Sequence, residues 1–223
     1  MRGFDIKQIR LRSFQISGLT AKWGIGGGHK PSIWDNNLVA WWDVRTFPDG
    51  ALAKIPNTAT MAGKAPDLEV KGATMGEGTL QFDGVDDEAL TASFAFPNSF
   101  TVFWDIDWLG QGYNRAGIIH SVSLYMKNYA APGSIGCVIR SAEGEGEIPN
   151  TSVGLSTNGN IYAPDGSVTQ FGGTIGTTTS TNSLYIAKKG KTFTQMGFRQ
   201  LLIFNKELSQ AEVNDVLRTM FPA

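Results

Sequence analysis

The sequence predicts an all-β sandwich, on three observations. Twenty-seven glycines accompany only 17% charged residues, a balance that suits strands and turns better than helices. The segment SFTVFWDIDW alternates, with Phe100, Val102, Trp104, Ile106 and Trp108 on one side and Thr101, Phe103, Asp105 and Asp107 on the other; period two marks a strand with one buried face. Short apolar runs recur between Gly, Pro and Asn clusters along most of the chain, the pattern of strands joined by turns. The 223 residues, 41% of them hydrophobic, support one sizeable core. The expected organisation is an extended arm and glycine-rich linker over residues 1–35, then a single sandwich domain over 36–223.

The arm comes first. IKQIRLRSFQIS places Ile9 and Leu11 on one side and Arg10 and Arg12 on the other, and WGIGGGHKPS then breaks the pattern around Gly26, Gly27, Gly28 and Pro31. A strand on a glycine tether can add itself to a sheet edge, so Arg2, Phe4, Lys7, Ile9, Arg10, Leu11, Arg12, Phe14 and Ile16 are the expected partner-binding residues. Residues 1–30 hold six cations (Arg2, Lys7, Arg10, Arg12, Lys22, Lys30) against Asp5, a net +5; the remainder holds 13 cations and 19 acidic groups, a net −6. A basic arm on an acidic body favours docking on copies of the same chain or on another acidic surface. The cations are scattered, without interleaved aromatics, so no nucleic-acid partner is expected. The N-terminus lacks the continuous apolar stretch of a secretion signal, and no window reaches the ~18 apolar residues that cross a bilayer. Sec-type export and membrane insertion are not expected.

In the body, LVAWWDV reads as a compact strand, FPDG as a turn, and IPNTATMAGKAPDLEVKGA as a long loop. GTLQFDGVDDEALTA gives two strands around Asp83-Gly84. Shorter strands are expected at GIIHSVSLYM, IGCVIR, SVGLS, NIYA and SVTQF, with loops at SAEGEGEIPN and GGTIGTTTSTNS. SLYIAKKG, TFTQMGF and RQLLIFN read as three successive strands. The chain closes with the one firm helix, LSQAEVNDVLRTMF. Ser209 and Glu212 have the spacing of a capping box, Leu208 and Val213 that of a hydrophobic staple. Val213, Val216, Leu217 and Met220 fall on one helical face. The single cysteine, Cys137, excludes an internal disulfide and reads as a small buried hydrophobe.

These motifs, in this order, resemble the laminin-G-like jelly-roll domain of the concanavalin-A-like superfamily. The matching phrases are the tryptophan strand LVAWWDV, the asparagine loop and D-L pair of PNTATMAGKAPDLEVKGA, LQFDGVDDEAL, SFTVFWDIDW, and the closing LLIFNKELSQAEVNDVL. The resemblance implies an antiparallel two-sheet jelly roll with a short C-terminal helix. Asp105 stands where many members carry tryptophan.

The residues bear on five chemistries. Phe103, Tyr125 and Tyr129, with Asp105 and Asp107, are the expected ligand-binding set, because sugars stack on exposed rings and bond to polar neighbours. Glycoside hydrolysis needs a carboxylate pair, for which Asp105 and Asp107 are the nearest candidates. The superfamily's E-x-D-x-x-E strand is not present, so no catalytic residue is assigned. Asp83, Asp86 and Asp87 are the candidate metal ligands, for calcium, although Asp-Gly turns use such aspartates to bind their own backbone; no cofactor is expected. His29 and His120 lie far apart and make no transition-metal pair, and GIGGG lacks the lysine and helix of a phosphate loop.

The function expected from these readings is a non-enzymatic structural or display protein of a virion, assembled in the host cytoplasm. It would be held through its arm to other virion proteins or to copies of itself. The alternative is a carbohydrate-binding module of a bacterial surface system that meets surface glycans, and a glycosidase ranks below both.

Overall fold

The computed structural model describes residues 32–107, 117–121, 123–128, 134–139, 145–176 and 181–222. Among these, two large antiparallel sheets share one buried cluster. The first sheet runs Val168–Gln170, Asn160–Tyr162, Gly154–Ser156, Thr101–Asp107, Gln195–Phe204, Thr79–Asp83, Thr74–Gly76 and Gly50–Ala51; Leu38–Asp43 pairs with the far half of Gln195–Phe204. The second runs Gly146–Pro149, Ser134–Ile139, Leu124–Asn128, Gly117–His120, Tyr185–Ile186, Glu88–Thr91, Leu68–Lys71 and Lys54–Ile55. This is the expected jelly-roll-like sandwich.

Alternation builds the interior. Val102, Trp104 and Ile106 enter the cluster between the sheets with Trp42, Phe82, Phe100 and Phe198. Each such side chain contributes about 1.5–3 kcal/mol when fully buried. Cys137 is wholly buried among them, and burial, with Glu145 nearby, pushes its thiol pKa well above the usual range.

Three readings of the sequence are corrected. TFTQMGF and RQLLIFN are not two strands: Gln195–Phe204 is continuous. Its pairing with Thr101–Asp107 slips at Arg199, between Phe198 and Gln200. This bulge adds one residue and flips the alternation, so Met196 and Phe198 before it, and Leu201 and Ile203 after it, all face the same core. Gly146–Pro149, expected as part of an acidic loop, is an edge strand paired with Ser134–Ile139; ladder pairing overrides its poor strand composition. Finally, helix α1 (Ser32–Asn36) buries Ile33 and Trp34, so residues 32–35 belong to the packed body rather than to a linker.

Two loops each depend on a single residue. Asn57 is 3% exposed, and its amide makes four bonds: Oδ1 accepts from the Trp41 and Ala59 N–H groups, and Nδ2 donates to the Val39 and Ala65 carbonyls. The Asp83-Gly84 turn carries the chain from the first sheet to the second. Gly84 has φ +80°, and a Cβ there would lie 2.9 Å from the Gln195 nitrogen, so only glycine fits.

Helix α2 (Gln210–Met220) starts at Ser209 with both bonds of the capping box formed. Its buried face, Val213, Val216, Leu217 and Met220, packs with Phe103, Leu202 and Phe204 in a second cluster on the outer side of the first sheet. Trp34 Nε1 donates to Asp215 Oδ2 at 3.3 Å, tying α1 to α2.

Candidate functional site

Residues paired across neighbouring strands share a face of the sheet. In the second sheet Val138 pairs with Tyr125, Tyr125 with His120, His120 with Tyr185, and Tyr185 with Leu90. All five are partly exposed, whereas their chain neighbours Leu124, Ile119 and Ile186 are buried between the sheets. The outer face of this sheet therefore carries a row of apolar and aromatic groups across five strands. At its centre His120 stands edge-on to Tyr125, ring centroids 5.3 Å apart, and lies 6.0 Å from Tyr185.

Cations surround the row. Lys189 Nζ lies 3.8 Å from the Tyr125 ring centroid, a cation–π distance. Lys127, two residues along Tyr125's strand and on the same face, is ion-paired with Glu145 and holds its ammonium 5.9 Å from the same ring. Burial, and then the charge of Lys189, lowers the His120 pKa below its ordinary value, so the imidazole is neutral at neutral pH.

The backbone that delivers Lys189 is strained. Ala187 is buried with φ 62°, a left-handed conformation that costs an L-residue about 1–2 kcal/mol. It ends strand Tyr185–Ile186 and is fixed by two bonds: its N–H donates to the Ile118 carbonyl at 3.0 Å, and its carbonyl accepts from Thr194 at 2.8 Å. The hairpin Lys188–Lys189 with Thr192–Phe193 follows. Lys188 points to Glu88, and Lys189 covers Tyr125.

Of the ligand-binding residues expected from sequence, Tyr125 alone lies in this row; Tyr129 is outside the described residues, as are Arg2, Phe4, Lys7, Ile9, Arg10, Leu11, Arg12, Phe14 and Ile16 of the arm. Phe103 is corrected. It is 0% exposed, stacked on Tyr162 at 5.6 Å and edge-on to Phe204 at 6.3 Å, because α2 covers the side of its strand that the alternation left for solvent. Asp105 and Asp107 lie farther along that strand. Both are held by one guanidinium: Arg199 donates at 3.0 Å to Oδ1 of each, and its second nitrogen reaches Asp107 Oδ2. The bulge is what aims Arg199 at the pair. Burial raises the Asp105 pKa, against the opposing pull of Arg199 and Arg45. Arg45 chelates Asp43 and donates at 2.9 Å to the Met220 carbonyl, completing the end of α2.

Asp83, Asp86 and Asp87 bring one carboxylate oxygen each within 4.8 Å of one another. Two of these groups already serve the turn: Asp83 Oδ1 accepts from Val85 at 2.7 Å and from Asp86 at 3.4 Å, and Asp87 Oδ2 accepts from Asp83 at 2.8 Å. Burial, followed by the neighbouring Asp83 and Asp86 charges, raises the Asp87 pKa. These bonds engage one oxygen of Asp83 and one of Asp87, the use an Asp-Gly turn makes of such aspartates.

The sequence alone does not group His120, Tyr185 and Lys189. The alternation within GIIHSVSLYM and SLYIAKKG sets each residue's side, but not that strands some 65 positions apart are paired.

No family model and no curated protein sequence matches the chain. Solved structures do. A botulinum neurotoxin serotype D binding domain is similar with a TM-score of 0.61 and 15% identity, covering 85% of this chain and 53% of that one. A serotype D ligand-binding domain in complex with N-acetylneuraminic acid has a TM-score of 0.55 at 15% identity, covering 84% and 52%. A Trypanosoma rangeli sialidase in complex with sialic acid has a TM-score of 0.56 at 14% identity, covering 93% of this chain and 39% of that one. The likeness is one of fold, a β-sandwich of jelly-roll kind. The chain spans about half the length of the neurotoxin domains.

Proposed function

We propose that the chain is a non-enzymatic recognition module that binds carbohydrate on the outer face of its second sheet. The observation that carries this reading is the partly exposed Tyr125–His120–Tyr185 row, flanked by lysines. Ring faces stack on the apolar faces of sugars while nearby donors meet the hydroxyls. The complexes of structurally similar domains with N-acetylneuraminic acid and sialic acid support it as analogy. The single guanidinium that ties Asp105 to Asp107 supports a structural rather than a catalytic use of that pair. A glycan array tests the reading. Selective binding is expected, with Tyr185→Ala weakening it about tenfold, the scale of an aromatic anchor. Absence of binding across the array, or an unchanged Tyr185→Ala profile, would sink it.

The charge partition favours a particle-bound setting for this module. With +5 on residues 1–30 and −6 on the rest, the arm is suited to fix the sandwich to an acidic partner or to copies of itself. A virion displaying a laminin-G-like domain fits that reading. Deleting residues 1–30 is expected to leave the sandwich folded and glycan-competent but excluded from the particle. Undiminished incorporation would contradict the anchoring.

A further inference from the structure

Lys189 differs from the other cations around the aromatic row. Lys188 and Lys71 both meet Glu88, Lys127 meets Glu145, and Lys54 bridges Asp67 and Glu69. Lys189 Nζ has no carboxylate within 4.0 Å among the described residues; its contact is the π-face of Tyr125. Its side chain is only partly exposed, and its approach depends on the left-handed backbone of the buried Ala187. Strained backbone persists only where its surroundings enforce it, and it concentrates at binding sites. Here it positions one positive charge beside a stacking surface. Among the described residues, the charge that bears on His120, the imidazole at the centre of the row, is this same cation.

We infer that the site takes an acidic saccharide, its anionic substituent paired with Lys189 and the apolar face of a ring stacked on Tyr185. This rests on the carbohydrate-binding reading and adds the ligand's charge to it. Lys189 lies over Tyr125 and Tyr185 is on the far side of His120, so charge and stacking surface are offered side by side. A neutral sugar would gain stacking and ordinary hydrogen bonds; an anion would gain in addition a charge-assisted bond in a partly desolvated position. The anion is a carboxylate or a sulfate, and both present oxygens that an ammonium can bind.

The test is calorimetric titration of the full chain with lactose, sialyllactose and sulfolactose, using wild type and Lys189→Gln. At least one acidic ligand is expected to bind about tenfold tighter than lactose, the difference shrinking as salt is raised. Which acidic ligand does so identifies the group. Lys189→Gln is expected to abolish the difference, bringing the acidic ligands down to the affinity of lactose, while leaving the unfolding midpoint unchanged. Equal affinity for all three, or an acidic preference that survives Lys189→Gln, would overturn the inference and leave the carbohydrate-binding reading standing. No binding of any of the three would overturn both.

Discussion

The outer faces of the two sheets start from the same strand alternation and end differently. On the first sheet α2 closes over Phe103, Leu202 and Phe204, and beyond it Arg199 pairs with Asp105 and Asp107 and Arg45 with Asp43. On the second sheet Tyr125, His120, Tyr185, Leu90 and Val138 are left partly exposed. An aromatic residue on a strand's outer side is thus core on one sheet and surface on the other. The determinant is which face the C-terminal helix occupies.

Substitutions can break this contrast. Phe103→Ala should cost about 3–5 kcal/mol, the usual penalty for emptying a buried aromatic site, measured by urea unfolding; a cost under about 1 kcal/mol would mean α2 does not seal that face. Arg199→Met should cost about 2 kcal/mol, because it leaves Asp105 and Asp107 facing one another partly buried and without their cation. Adding Asp105→Asn and Asp107→Asn to it should recover most of that loss. Ser209→Ala should cost about 1 kcal/mol through the lost cap of α2. On the opposite face, Tyr125→Ala should stay within about 1 kcal/mol in stability while weakening glycan binding, so stability and binding effects separate by sheet.

The smallest expected effect is a pH dependence confined to the open face. The His120 pKa is lowered in the folded chain, so the unfolded state binds more protons at mildly acidic pH. The stability held by neutral His120 is full above its ordinary value of about 6.5 and is lost as pH falls from there through the lower folded value. Unfolding curves across that window should therefore shift downward on acidification. In His120→Gln this component should vanish, and its persistence would assign the dependence to another group.

Much of the sandwich was legible because it depends on local signals. The Thr101–Asp107 strand announces itself by alternation and α2 by the Ser209–Glu212 box with Val213, Val216, Leu217 and Met220. The capping role of Asp83 and Asp87 follows from an Asp-Gly turn. What failed depended on distant partners. Phe103 looked exposed because residues some hundred positions later cover it. Gln195–Phe204 looked like two strands because the bulge at Arg199 breaks the period. Helix α1 had a signal, Pro31-Ser32 ahead of two apolar residues, that the glycine run before it obscured. The candidate site was the least legible feature. Tyr125 could be named from its residue type, whereas His120, Tyr185 and Lys189 join it only through cross-strand register and the left-handed turn at Ala187.

Backbone amide chemical-shift mapping during titration with a bound saccharide tests most directly that the second sheet is the recognition face. Shifts are predicted to concentrate in Gly117–His120, Leu124–Asn128 and residues 185–189, with α2 and Thr101–Asp107 silent. Shifts centred on α2, or on the Asp105–Arg199–Asp107 network, would place recognition on the other face and contradict the account.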